Sequence, residues 1–448
     1  MQSVDVAYGE ALAYLNSLID FEKLGATYFA RDRFQLATVR RLLHDLGDPQ
    51  AGLHVVHIAG TKGKGSTAAI LDSILRAAGL RVGLFTQPHL VDIRERTRVD
   101  GHPLSQAEFA SAVAHVRPEV DRLNAEPDAE PVTFYEAHLA AALVAFAARG
   151  VEVAIMETGL GGRLDATNAL SPVATAITRI DYDHTDILGE RLEDIAREKA
   201  GILKPGVPCV FAPQTPEVAA ILRDHAVATG APERRCPAVV ERDDGTFDLL
   251  AMQTYARLSL PLAGRHQREN AAVAVALCEM LQGAGYGVPE TAVRAGMAAA
   301  RWPGRFQVLA GGPTLVLDVA HNRVSAQVLR AGLQGLMSSR DLRPALILVV
   351  GIAKDKDVSG FVETLAPLAA LMVCTRAASP RAADPETIAA SARPCGGQVV
   401  CLPTVSEALA HARKAAKASD VICVTGSFHV VGEAMQALGI EPLSDTEG

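Results

Sequence analysis

No run of about 18 uninterrupted apolar residues occurs anywhere in this sequence, so no membrane-spanning helix is expected. Basic charge is not in excess either. The chain carries 43 Lys and Arg against 51 Asp and Glu, a net charge of −8, which argues against a general nucleic-acid binder. Cysteine pairs at CxxC spacing are missing. The seven cysteines (Cys209, Cys236, Cys278, Cys374, Cys395, Cys401 and Cys423) are odd in number. Reduced, mostly buried thiols in a cytoplasmic protein are the expectation, ahead of disulfides or a zinc site. The first residues lack a basic-then-apolar signal pattern, and there is no tandem repeat or long low-complexity tract. What is there is a chain of 448 residues with 49% hydrophobic and 21% charged positions. That composition predicts a packed protein with room for two or three domains.

Short β-branched runs alternate with helical patterns. Strands are expected at His54–Ala59, Arg81–Phe85, Val151–Met156, Ala174–Thr178 and Val207–Ala212, with helices at Ser66–Ala78, Phe134–Arg149 and Leu192–Ala200 among them. Such alternation implies a mostly parallel sheet covered by helices. Pro237 to Pro261 is turn-rich and suggests a β-hairpin excursion, after which helices resume at Gln267–Gln282 and Thr291–Ala300. Arg301–Phe306 breaks the pattern. A second series follows, with strands at Thr314–Val319, Ala345–Val350, Leu371–Thr375, Gln398–Leu402 and Val421–Thr425 and a helix near Ser325–Leu336. The expected architecture is α/β: a P-loop ATPase-like, mostly parallel sheet domain over residues 1–300, then a smaller Rossmann-like α/β domain over 301–448. Residues 444–448 are expected to fray.

The strand at His54–Ala59 runs into Gly60-Thr-Lys-Gly-Lys-Gly-Ser66 and then directly into a helix. Strand, glycine loop and helix in that order make a phosphate cradle. Glycines let backbone N–H groups converge, the helix N-terminus adds positive potential, and Lys64 supplies a point charge. The spacing departs from GxxxxGK[ST]: two residues separate Gly60 from Gly63, and Gly65 intervenes before Ser66.

This shorter loop resembles the ATP loop of the Mur ligase superfamily, in particular of folylpolyglutamate and dihydrofolate synthases. Further segments resemble successive motifs of that family over roughly residues 20 to 435: Phe85–Val91, Arg94–Arg96, Thr133–Glu136, Glu157–Asn168, Asp183–Gly189, Glu198–Ile202, Pro303–Phe306, Asp318–Asn322, Asp355–Asp357 and Gly426–His429. The resemblance implies an ATP- and Mg²⁺-dependent ligase that adds L-glutamate to a folate or dihydropteroate carboxylate. It implies no nucleic-acid or membrane partner, and a monomer is expected.

Glu157 ends a strand, where open α/β sheets bind ligands, and a carboxylate beside a triphosphate suits Mg²⁺. The resemblance places ATP on Gly60, Thr61, Gly63, Lys64, Gly65, Ser66, Asn270, Arg305 and Asp318. It places metal on Glu157, His184, Ser66 and the position of Gln87. The family usually has serine where this chain has Gln87; an amide oxygen can bind Mg²⁺ but is bulkier. Lys64, Lys199 and His321 are the expected catalytic residues. By resemblance Lys199 is carbamylated, a reaction that needs a neutral amine and so favours a buried lysine. Thr133, Phe134, Tyr135 and Glu136 with Leu164, Asp165 and Ala166 fall on folate-contacting positions. Phe134 and Tyr135 offer π faces for a flat heterocycle, although either could be core. The segment 28–33 is a further candidate for the heterocycle. Arg305 could clamp a phosphate or form a salt bridge. His321, Asn322, Ser427 and His429 follow strand ends in the second series and are candidates for glutamate.

Two other readings stay open. One is a Mur ligase acting on a cell-wall nucleotide–peptide, but the stretch before the phosphate loop is short for a UDP-sugar-binding domain. The other is a nucleotide-binding regulatory paralogue that has lost catalysis, prompted by Gln87.

Overall fold

His54–Ala59 forms the central strand, β1, because its run of Val, Val, His and Ile fits a sheet interior; five of its six residues are buried. A computed structural model describes residues 4–20, 36–127, 129–338 and 344–442. The segment 28–33 and residues 444–448 lie outside it. In chain order the next strands are β2 (Val82–Phe85), β3 (Thr97–Val99), β4 (His102–Pro103), β5 (Val153–Glu157), β6 (Pro172–Ile177), β7 (Cys209–Phe211) and β8 (Glu233–Arg234). They assemble in the order β4-β3-β2-β5-β1-β6-β7-β8. β2, β5, β1, β6, β7 and β8 run parallel, while β3 and β4 turn back antiparallel at one edge.

Register decides where the site lies. β1 pairs with β5 so that Ile58 stands opposite Glu157, and with β6 so that Ala59 stands opposite Ile177. Phe85 of β2 is level with Met156. The loops after β1, β2, β5 and β6 therefore leave the sheet along one carboxyl edge. The expected hairpin after Pro237 is instead a three-stranded antiparallel sheet of β9 (Ala238–Glu241), β10 (Phe247–Leu250) and β11 (Thr254–Leu258). The helices Arg265–Gly283 and Glu290–Ala299 both pack on the helix Lys64–Ala77.

The chain divides into two compact units. The first comprises residues 1–87, 94–261 and 265–301; the second comprises 302–448 with two short excursions, 88–93 and 262–264. Leu90 and Val91, from the first excursion, pack on the second unit's core. That unit has β12 (Gln307–Leu309), β13 (Thr314–Asp318), β14 (Leu346–Val350), β15 (Leu371–Cys374), β16 (Gln398–Cys401) and β17 (Val421–Thr425), ordered β12-β13-β17-β14-β15-β16. All neighbours are parallel except β12 and β13. Two apolar clusters line its faces, one around Leu348 and Phe361 and one around Val349 and Val424. Asp318, Thr425 and Val350 are level across three strands. The segments 319–322 and 426–429 thus leave one edge together.

Candidate active site

The Lys64–Ala77 helix begins without a side-chain cap. Its N-cap is Gly63, held at φ 92°, where a side chain is strained and would also run into the Asn270 amide. Five other helices have a hydroxyl or carboxylate in that role: Ser105, Thr133, Asp357, Thr404 and Ser427 accept from backbone N–H groups of their helices. At Gly63 the helix N-terminus instead keeps N–H donors of the kind that bind anions. The loop is braced from the side. Arg179 O accepts from both Thr61 N and Lys62 N, each at 3.0 Å. Thr61 Oγ1 donates to Asp181 O at 3.1 Å, and Lys62 Nζ donates to Asp183 Oδ2 at 2.9 Å.

Charged groups converge on this loop. Lys64 Nζ lies 3.8 Å from Glu157 Oε1, and Glu157 is only 4% exposed. Lys199, from the buried face of the helix Leu192–Ala200, donates from Nζ to Gly60 O at 2.9 Å. Burial, and secondarily the Lys64 charge, bring the Lys199 ammonium down to about 7, while Asp183 and Asp165 pull the other way. A lysine so placed holds a large neutral fraction near neutral pH. Ser66 is buried in the first helical turn. His184 occupies a left-handed position at φ 50°, and its Nε2 lies 3.9 Å from Asp183 Oδ1. Its side chain is 49% exposed. Asn270 is buried on its helix, donating to Gln267 Oε1 at 3.0 Å.

On the neighbouring side, Thr133 and Glu136 are engaged with each other. They form a capping box: the Thr133 hydroxyl accepts from Glu136 N at 3.3 Å, and Glu136 Oε2 accepts from Thr133 N at 2.9 Å. Phe134 is buried, stacked edge-on to His138 with Arg96 over its ring. Of the two candidate aromatics it is the core residue. Tyr135 is half-buried and reaches the site. Its hydroxyl donates to Asp165 Oδ1 at 3.3 Å and accepts from Gln87 Nε2 at 2.9 Å. The Gln87 amide nitrogen is thus turned to Tyr135, and the Gln87 backbone N faces Glu157 Oε2, at 3.4 Å.

Asp165 is buried and also accepts from Gly159 N at 2.8 Å, Leu160 N at 3.0 Å and Thr167 N at 3.0 Å. Burial raises its carboxyl above the usual range even against these donors. Leu164 is half-buried and Ala166 buried. Behind Asp165 lies a residue that sequence reading misses. His57 on β1 is fully buried, held down to about 3 by desolvation, and its Nε2 sits 2.8 Å from Thr167 Oγ1.

Among the described residues, no three His, Cys, Asp or Glu side chains gather into a group that could hold a metal. A hard cation beside a triphosphate needs only one or two protein carboxylates, the rest being phosphate and water oxygens. The buried carboxylate of Glu157, 3.8 Å from Lys64 Nζ of the phosphate loop, fits that requirement.

In the second unit, Asp318 ends β13 and accepts from Phe306 N and Ala320 N, both at 2.8 Å. Burial raises its carboxyl, opposed by the Arg305 charge. Arg305 lies over the Phe428 ring at 5.0 Å. His321 donates from Nδ1 to Val319 O at 2.9 Å, which fixes the ring. Asn322 is tied up with Ser325, whose backbone N donates to Asn322 Oδ1 at 2.9 Å. Ser427 caps the helix Phe428–Leu438, accepting from Val430 N at 3.2 Å, and His429 lies in that helix's first turn.

Two domain families match the chain: the Mur ligase middle domain at residues 58–278 and the Mur ligase glutamate ligase domain at residues 304–428. A probable bifunctional folylpolyglutamate synthase/dihydropteroate synthase of Haloferax volcanii is 35% identical over 95% of this chain and 50% of its own length. The chain thus spans about half the length of that relative. The dihydrofolate synthase/folylpolyglutamate synthase of Bacillus subtilis is 35% identical over 75% of this chain and 79% of its own. The structure of Mycobacterium tuberculosis folylpolyglutamate synthase complexed with ADP matches with a TM-score of 0.87 at 31% identity, covering 98% of this chain and 100% of that one. A Yersinia pestis bifunctional folylpolyglutamate synthase/dihydrofolate synthase complexed with AMPPNP and a Mn ion matches with a TM-score of 0.81 at 32% identity, covering 97% and 98%.

Proposed function

Because this chain belongs to the folylpolyglutamate/dihydrofolate synthase family of the Mur ligases, we propose that it is an ATP-dependent ligase joining L-glutamate to a folate or dihydropteroate carboxylate. The observation that carries the reading is the phosphate loop itself. A helix start with no side-chain cap, Lys64 beside the buried Glu157, and Lys199 on the Gly60 carbonyl bring together donors and cations suited to a triphosphate.

In this reading a substrate carboxylate oxygen attacks the γ-phosphorus of ATP, ADP leaves, and an acyl phosphate results. The amine of glutamate then attacks the acyl carbon, and phosphate departs with the oxygen that had attacked. Phosphoryl transfer asks the protein chiefly for alignment and charge neutralisation. Lys64 and the loop N–H groups would hold the phosphates, with Asn270 of the same unit; Arg305 and Asp318 are the second unit's own candidates for nucleotide binding. Glu157, Ser66 and His184 would hold Mg²⁺, which when bound would neutralise phosphate charge. Tyr135, Asp165, Leu164 and Ala166 would contact the heterocycle, with Thr133 and Glu136 fixing the helix that carries Tyr135. His321, Asn322, Ser427 and His429 would receive glutamate.

We further propose that Lys199 takes up CO₂. Its near-neutral amine is competent for that reaction, and the cations Lys62 and Lys64 would favour the resulting anion. The seven free thiols, four of them buried, suit a reducing cytoplasm. Among the described residues no helix is long and apolar enough to cross a membrane.

Lys64→Ala tests the loop. Turnover of ATP with dihydropteroate and glutamate should fall by about a hundredfold or more, with the thermal transition retained. Turnover within a few-fold of the parent would contradict the assignment. Absence of any folate-dependent turnover by the parent itself would favour the non-catalytic regulatory reading.

A further inference from the structure

Gln87 stands where the family's metal-ligating hydroxyl is expected, and its amide nitrogen is engaged with a residue of the acid-substrate side. Its Nε2 donates to Tyr135 Oη at 2.9 Å, and the Tyr135 hydroxyl passes its own proton on towards Asp165 Oδ1 at 3.3 Å. Donation into the phenol oxygen strengthens donation out of it, so the three groups act as one polarised chain. The backbone closes this chain into a ring. Gly159 N donates to Asp165 Oδ2 at 2.8 Å, Gly159 lies two residues after Glu157, and Glu157 Oε2 accepts from Gln87 N at 3.4 Å. The ring is tight at Gly159. A Cβ there would come within 2.8 Å of Gln87 Nε2 and 3.2 Å of Asp165 Oδ2, so any larger residue would push the Gln87 amide from its present position. Phe85, two residues before Gln87, packs its ring 5.9 Å from the Tyr135 ring.

We propose that Gln87 is a positioning residue for the acid substrate: its amide orients the Tyr135 hydroxyl and the Asp165 carboxylate, and its side chain is not a metal ligand. The inference rests on the folate reading of the site. A serine at this position would be too short to span to the phenol. The glutamine therefore trades a hydroxyl near the metal for an ordered acceptor on the heterocycle side. Without the amide, the phenol rotor loses its donor and the Asp165 oxygen loses a proton of fixed direction. Binding of a hydrogen-bonding heterocycle should suffer before binding of nucleotide does.

The test is equilibrium binding to the full chain, read separately for two ligands. Dihydropteroate is titrated without nucleotide or metal, and ADP is titrated with magnesium. Gln87→Ala and Tyr135→Phe should each weaken dihydropteroate binding about tenfold, the worth of one ordered hydrogen bond. The double variant should be no weaker than either single one, since both break the same chain. ADP with magnesium should bind within about twofold of the parent in every variant, which also reports that the fold is intact. Gln87→Glu keeps the size but replaces the donor with a second carboxylate facing Asp165, and should be worse than Gln87→Ala. The proposal is overturned if Gln87→Ala leaves dihydropteroate affinity unchanged, or if its loss falls on ADP with magnesium. A parent that binds neither dihydropteroate nor a reduced folate would take down the folate reading, and this inference with it.

Discussion

Lys199 shows how a single residue's surroundings set both its chemistry and its contribution to stability. Its amine is buried against Gly60 and brought down to about 7, from the ordinary value of 10.5. Between those two values the unfolded chain binds a proton that the folded chain refuses, so stability rises with pH across that window. Below about pH 7 both states are protonated, and burying the charge destabilises the fold in full. Lys199→Met should therefore be more stable than the parent near neutral pH in CO₂-free buffer. Its advantage should shrink steadily as the pH approaches 10.5. Urea denaturation at a series of pH values checks this; an advantage independent of pH would mean the amine is not buried as described. In the parent, ¹³C-labelled CO₂ should give a carbamate resonance that Lys199→Met lacks.

At the scale of elements, the helix Phe134–Ala148 carries Tyr135 to the site, and its start is set by the capping box of Thr133 and Glu136. Thr133→Ala should cost about 1 kcal/mol of stability, measured by chemical denaturation, because one helix N–H loses its acceptor. A loss of dihydropteroate binding with no loss of stability would instead make Thr133 a direct ligand. The box illustrates what is legible in sequence. Thr-x-x-Glu is a recognisable helix start, but resemblance draws attention to its ligand role first.

β1 and β17 coincide with their sequence expectations because long β-branched runs have sharp borders. The strand Gln307–Leu309 is only three half-exposed or exposed residues, too short to show a period. Pro118 interrupts the pattern of the helix Gln106–Asn124 and hides it. Within the site, Glu157 is legible because a carboxylate ending an apolar run marks a strand's carboxyl end. The Gln87–Tyr135 contact is not, since 48 residues separate the two and nothing local tells which way an amide will turn.

The whole molecule reads as two α/β units, each with its proposed site residues at the carboxyl ends of parallel strands. The sequence shows the alternation but not that the segment 88–93 leaves the first unit to join the second. That follows only from where Leu90 and Val91 find apolar neighbours. What unites the account is an activated carboxylate, and isotope transfer tests it most directly. Dihydropteroate labelled with ¹⁸O in its carboxylate is incubated with the protein, ATP, magnesium and L-glutamate, and the released phosphate and the folate product are analysed by mass spectrometry. The account predicts one ¹⁸O in each phosphate released and one glutamyl residue added per phosphate. Unlabelled phosphate, or AMP as the nucleotide product, would contradict it.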